Sequence, residues 1–374
     1  MCLVFIFRQM ISLGGRLLFT WCRVFCAALF LCVCSAIFAQ SVSNEAALIE
    51  ARMSGVFAKN RDSIVKVTVQ KGLSEGDMTT CSGFLASRDG HVITSAIATF
   101  NASKIWVEWK GVLLDAELVG LDPMTTLSVI KIKNGFSGKD AAFIKIENQA
   151  KIPAIASPLI VISREFGFPP SPRFGIVAGY DINFGDTFLP AVYLRTTIPS
   201  YRGSIGSPAF DLDGNFAGML VLGLPESSGS FLMPAKALAR IRDDIILCGE
   251  PVYGWFGMRA VDGDDSQKAN VKIDFVISES PADKAGFQVG DQILEVNGAA
   301  IENNTQLRNV TFFVRPGETA HFKILRGSET LNLDLLVEKM DSEVIKTSTE
   351  KLAAQSSTNG SKPADGIDTS SDAK

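Results

Sequence analysis

The chain has 374 residues, 47% of them apolar and 20% charged, an ordinary globular composition with room for two or three domains. A formal charge of −4, without a block of like charge, excludes the basic arm or acidic tail of a nucleic-acid binder. No cluster of His, Cys and carboxylate residues has ligand spacing, so neither a metal nor an organic cofactor is expected.

Five of the seven cysteines (Cys2, Cys22, Cys26, Cys32, Cys34) fall in the first 40 residues. That segment carries Arg8, Arg16 and Arg23 with no acid. The uncharged run VFCAALFLCVCSAIFA from Val24 to Ala39 follows, before the polar QSVSNE. It reads as a secretory signal peptide over 1–39, cleaved after Ala39, and so as an exported, periplasmic or envelope-associated product. An uncleaved signal anchor is the alternative, although the run is shorter than the roughly 20 residues of a spanning helix. Lipidation at Cys34 is opposed by the branched Val33, and Met10 is a second possible start. An oxidising compartment permits a Cys81–Cys248 disulfide without requiring it.

From Gln40, the stretch EAALIEARMSGVFAKN spaces its apolar residues helically. About ten short β-branched runs follow, among them SIVKVTVQ, HVITSA, LSVIKI, PLIVIS and NFAGMLVLG, separated by turns such as RDG and LDG. Short strands without intervening helices predict a mainly β region of barrels or sandwiches over 40–248. AKALARIRDDII closes it as a helix with Leu238, Ile241 and Ile245 on one face, and CGEPVY reads as a linker. A small α+β domain is expected over 252–338: Pro281 opens a short helix, Gly286 caps it, Asn297-Gly298 signals a hairpin, and Leu307, Val310 and Val314 recur helically. The polar tail at 340–374 is expected to be disordered.

The order of elements and three motifs resemble the HtrA/DegP family of exported trypsin-like serine proteases with a C-terminal PDZ domain. Where the family reads G-S-G-F and then D-G-x-I-L-T-N-x-H-V, this chain has CSGFLASRDGHVITSAIAT, with Ile97 at the histidine. Where the family reads D-P-x-x-D-L-A-V-L-K-I, it has DPMTTLSVIKI, with Thr126 at the aspartate. The turn written G-x-S-G-G-P in the family is GSIGSP here, with Ile205 at the serine, and GSFLMP resembles the closing G-x-F-A-I-P strand. The resemblance implies a trypsin-like double β-barrel followed by a PDZ domain.

Ile97 offers no nitrogen, Thr126 no charge and Ile205 no oxygen, whereas triad chemistry needs a nucleophile, a base and a group that orients the base. No catalytic residue is therefore assigned, and the expectation is a pseudoprotease, not an enzyme. The alternative is a serine endopeptidase with a relocated site. Ser204 and Ser207 flank the lost nucleophile; His91 and His321 read as surface or strand-edge residues; Lys104, Lys110 and Lys131 stand as candidate bases, and Cys81 lacks a histidine partner. Gly203, Gly206 and Pro208 keep the turn, so the amides of Gly203 and Ile205 form an oxyanion-hole remnant. Tyr201 and Arg202 precede it.

GWFGMRAV resembles the PDZ carboxylate-binding loop, which implies amide donors at Phe256, Gly257 and Met258 and a peptide-pairing edge over Met258, Arg259, Ala260 and Val261. Leu307 and Val310 serve either the groove wall or the core. The expected partners are peptides, exposed C-termini or unfolded chains, handled by a scaffold, adaptor or chaperone-like protein of envelope quality control. The resemblance further implies a homotrimer assembled near Val56 and Phe57, and mixed assembly with an active paralogue.

Overall fold

The computed structural model describes residues 45–340, apart from 73–77, 135, 138, 140, 185–186, 225–228 and 264–270. The expected signal peptide and C-terminal tail lie outside the described residues. The chain divides into two units, Met1–Gly55 and Val56–Lys374. Residues 45–60 are helical (α1), and no described helix is long and apolar enough to cross a membrane.

The first barrel is built from β1 (Ile64–Gln70), β2 (Met78–Leu85), β3 (His91–Ser95), β4 (Lys104–Trp109), β5 (Val112–Asp122) and β6 (Leu127–Ile132), closed in the order β1-β2-β3-β6-β5-β4; the one-turn helix α2 (Ala96–Thr99) follows β3. Period-2 patterning fills it: Val65, Val67 and Val69 of β1 point inward beside Leu85, Val92, Val107 and Ile130, while Lys66, Thr68 and Gln70 take the other face. The second barrel comprises β7 (Pro158–Ser163), β8 (Ser171–Phe184), β9 (Thr187–Thr196), β10 (Pro208–Phe210), β11 (Phe216–Leu224) and β12 (Gly229–Pro234), closed as β10-β11-β12-β9-β8-β7 around Leu159, Val161, Val177, Leu194, Leu220 and Leu232. Closure leaves neither sheet an unpaired edge. Helix α3 (Ala235–Cys248) buries Leu238, Ile241 and Ile245 completely and ends at Gly249, whose φ of 80° suits a left-handed cap.

The C-terminal domain holds β13 (Gly254–Trp255), β14 (Met258–Asp262), β15 (Val271–Val276), α4 (Pro281–Lys284), β16 (Gln292–Val296), β17 (Ala299–Ala300), α5 (Asn304–Thr311), β18 (Thr319–Arg326), β19 (Glu329–Leu336) and β20 (Glu338–Lys339). Its sheet runs β14-β15-β16-β18-β19, with β17 on β16, and β13 pairs with β20. Asn297 and Gly298, at φ 50° and 80°, turn the hairpin that pairs Val296 with Ala299, as the dipeptide predicted.

The second half of the segment read as a linker, Pro251 to Tyr253, is packed rather than slack. Tyr253 is 5% exposed and donates its hydroxyl to the carboxylate of Asp122; the Arg240 guanidinium lies 4.7 Å from the centre of the Phe312 ring and 5.5 Å from that of Tyr253; Arg315 pairs with the buried Asp244. The physical reason is composition: Val252 and Tyr253 supply apolar surface and a hydroxyl that the Pro/Gly turn ahead of them delivers to the barrel. Cys81 is buried and Cys248 exposed, and both are free thiols.

Candidate functional site

Three loops meet where the barrels face each other. Ser95 caps α2 by accepting from the amide of Ile97 at 3.2 Å, which seats Ile97 in that single turn. Thr126, in the β5–β6 turn, sits at φ 60°, and its carbonyl accepts from the Ala96 amide at 2.7 Å, so positions 97 and 126 are neighbours. A β-branched residue pays about 1–2 kcal/mol for that left-handed conformation. Ile205 packs against the second-barrel core, and its carbonyl accepts from the Ser82 amide at 3.1 Å. The structure thus gathers the three altered positions into one region.

The glycine turn keeps its shape for a steric reason. Gly203 and Gly206 both have φ of 90°, and a Cβ on Gly206 would lie 2.2 Å from the carbonyl oxygen of Ser82. Ser82 stitches the barrels together: its hydroxyl donates to the Gly203 carbonyl at 2.7 Å and accepts from the Arg164 amide at 2.9 Å. Among the described residues, no acceptor meets the amides of Gly203 or Ile205. Ser204 is 1% exposed and donates to the Tyr201 carbonyl at 2.8 Å, whereas the buried hydroxyl of Ser207 has no partner among the described residues.

The candidate bases scatter. His91 starts β3, about 13 Å up the strand from α2 at ~3.3 Å per residue. It bonds Ser87 at 3.0 Å, and burial lowers its pKa, with the charge of Lys131 acting in the same direction. His321 lies in the C-terminal domain, 2.7 Å from Asp334. Lys104 begins β4, Lys110 occupies the β4–β5 turn, and Lys131 pairs across from His91. Lys71, which the sequence reading missed, is the lysine at the site: its ammonium donates to the carbonyl of Ile97 at 3.0 Å, and burial lowers its pKa. Only barrel closure reveals this adjacency, across 26 residues of chain. Cys81 lies nearby, 3.2 Å from the Thr94 hydroxyl; burial pushes its pKa to about 11, so it is a thiol at neutral pH.

In the C-terminal domain, β14 is an edge strand facing α5, which leaves one side of its backbone for a further strand. Gly257, at φ 76°, precedes it, and a Cβ there would lie 2.1 Å from that of Ser280. The carbonyls of Phe256 and Gly257 accept bonds from Ala282 and from Ile277 and Ser280, which turns them inward; no described acceptor meets the amides of Phe256 or Gly257. Met258 and Ala260 pack inward, while Arg259 and Val261 face outward, Arg259 paired with Asp274 at 2.8 Å. Leu307 belongs to the domain core, and Val310 is half-buried against it. Among the described residues, no group of His, Cys, Asp and Glu is placed to hold a metal ion.

The trypsin-like peptidase domain pattern matches residues 81–219, and the PDZ domain pattern matches 254–337. The chain is 27% identical over 293 residues to a probable periplasmic serine endoprotease, DegP-like, of Ectopseudomonas mendocina (strain ymp), covering 75% of this chain and 59% of that protein. It is 29% identical to its counterpart in Pseudomonas putida (strain GB-1), covering 74% and 60%. The chain therefore spans about three-fifths of the length of these relatives. Among solved structures, the HtrA-type protease AlgW with tripeptide shares the fold at a TM-score of 0.65 and 21% identity, over 77% of this chain and 97% of that one. The serine endoprotease from Yersinia pestis does so at 0.57 and 22%, over 77% and 98%.

These relatives overturn the expectation that the chain is not an enzyme: they are named as serine endoproteases. The physical reason that expectation overreached is that Ile97, Thr126 and Ile205 exclude chemistry through those three side chains only. The fold keeps the glycine turn and places a lysine, invisible in the motifs, beside position 97. The chain carries a trypsin-like peptidase domain followed by a PDZ domain and is similar to DegP-like serine endoproteases.

Proposed function

We propose that the protein captures extended polypeptide segments in the cell envelope through the edge of β14 and acts on them as a serine endopeptidase with an unusual site. The capture half rests on one observation, the Phe256–Gly257 turn, whose carbonyls are engaged inward and whose amides are left to meet a terminal carboxylate. The endopeptidase half is supported by the activity named for the relatives, by the glycine turn, and by Lys71 at 3.0 Å from the Ile97 carbonyl. Burial lowers the pKa of Lys71, the direction a general base needs, and Ser204 and Ser207 flank position 205 in sequence.

The test is cleavage of permanently unfolded casein by the folded chain beside the Lys71→Ala, Ser204→Ala and Ser207→Ala variants. Cleavage that falls at least a hundredfold with Lys71→Ala and with one serine variant is expected. A folded wild-type protein that leaves casein intact would end the endopeptidase half. Capture is read separately, as anisotropy of a labelled peptide with a free C-terminus against its C-terminal amide; equal binding of the two would end that half.

A further inference from the structure

Beside the loop that carries Arg164 lies a cavity of about 240 Å³ to which nothing above gives a role. It is lined by Arg61, Lys110 and Arg164, by the single carboxylate of Asp62, and by Pro169 and Pro170. Arg61 and Lys110 share Asp62, and Arg164 and Lys66 share Glu108, so four cations meet two carboxylates and the region keeps an excess of positive charge. Asp62 is shared weakly, at 3.6 Å from Arg61 and 3.5 Å from Lys110. Arg164 donates its terminal nitrogens to Glu108, Nη2 at 2.7 Å to the side chain and Nη1 at 3.4 Å to the carbonyl, but its Nε is buried and has no hydrogen-bond partner among the described residues. An orphaned guanidinium N–H costs desolvation free energy that an acceptor would recover.

The loop that carries Arg164 abuts the glycine turn through its main chain. The amide of Arg164 donates to the same Ser82 hydroxyl that holds the Gly203 carbonyl, and a Cβ on Gly203 would touch the Arg164 carbonyl oxygen at 3.5 Å. The loop that carries Arg164 is fixed rather than slack: Glu165, 5% exposed, is gripped by Arg173 and Ser163, and Arg173 stacks 4.0 Å over the Tyr201 ring. That anchoring holds Phe166 at φ 51°, a strained conformation for a bulky residue, and leaves Phe166 and Phe168 exposed beside the cavity.

The geometry points to a carboxylate subsite. Resting on the reading that the chain takes up extended polypeptides, we infer that Arg61 and Lys110, with the Glu108-held Arg164 behind them, receive an acidic side chain of the bound segment near the Gly203 turn, with its apolar neighbours on Phe166 and Phe168. A carboxylate fits the exposed fork of Arg61 and the point charge of Lys110, and the site makes acidic-aromatic segments the preferred substrate class.

The test uses two labelled decapeptides that differ only in carrying Glu or Gln at two central positions beside a Phe, both amidated at the C-terminus so that they offer the PDZ turn no carboxylate. Their anisotropy is titrated with the full chain and with the Arg61→Gln/Lys110→Gln variant, whose substituted side chains are exposed and leave the core intact. The Glu peptide is expected to bind about tenfold tighter than the Gln peptide, and the variant to erase that difference while still binding a free-C-terminal peptide at the PDZ groove. Equal binding of the two decapeptides, an unchanged preference in the variant, or displacement of neither decapeptide by the other would overturn the subsite. Competition by inorganic phosphate with no Glu preference would make it a general anion site and would also overturn it. Failure of the free-C-terminal peptide to bind would instead count against the capture reading, so the two failures are separable.

Discussion

Asp122 shows how one residue joins separate parts of the sequence. Its carboxylate, fully buried, accepts from the amides of Met124 and Thr125 at 3.0 and 3.2 Å, from the Thr125 hydroxyl, and from Tyr253, 131 residues later. Burial raises its pKa above 3.8, and the hydrogen bonds pull it partway back. A raised folded pKa means the folded state binds the proton more tightly than the unfolded one. The stabilisation from this group is therefore complete below 3.8 and is lost as pH rises through the folded value. Asp122→Asn removes the titration and keeps an acceptor. The stability of the wild type relative to this variant is expected to fall from about pH 3.5 upward; urea unfolding across that range checks it, and a flat difference would refute it.

At the level of elements, glycines decide whether neighbouring segments can touch. The turn before β14 exists because Gly257 tolerates both φ 76° and the approach of Ser280. Gly257→Val is expected to cost the C-terminal domain about 2 kcal/mol or more from strain and overpacking. It should also weaken a free-C-terminal peptide at least tenfold while leaving the barrels unchanged. Circular dichroism melting beside peptide titration separates the two effects, and unimpaired binding would remove this turn from the site. Gly206 does the same for the barrel cleft, where the Ser82 carbonyl fills the space a side chain would need.

Across the whole of Val56–Lys374, the domain junction is a buried polar and aromatic cluster. Asp244, 2% exposed, accepts from the Val252 amide at 3.2 Å and pairs with Arg315 of the C-terminal domain, while Lys236 lies 4.3 Å over the Phe313 ring and Arg240 covers Phe312. The barrels and the C-terminal domain are thus expected to unfold as one transition. Arg315→Ala leaves Asp244 buried with one partner fewer, at a cost of about 1–3 kcal/mol given that Arg315 is itself half-exposed. Calorimetry of the variant is expected to resolve two transitions where the wild type gives one; two transitions already in the wild type would show that the cluster does not couple the domains.

The sequence by itself determined the strand pattern, because a period-2 alternation such as IVKVTVQ can bury one face only as a strand, and a glycine or Asn-Gly turn admits few conformations. For the same reason it located the loops that carry Ile97, Thr126, Ile205 and Gly257, and the identity of those residues fixed which side chains cannot act. Only the tertiary structure decided what stands beside them. Lys71 meets Ile97, Arg164 meets Ser82 and Glu108, and Tyr253 meets Asp122 across 26, 82, 56 and 131 residues respectively. Such contacts arise from barrel closure and domain docking, which no local periodicity encodes, and the second half of the segment read as a linker became part of a buried junction for that reason.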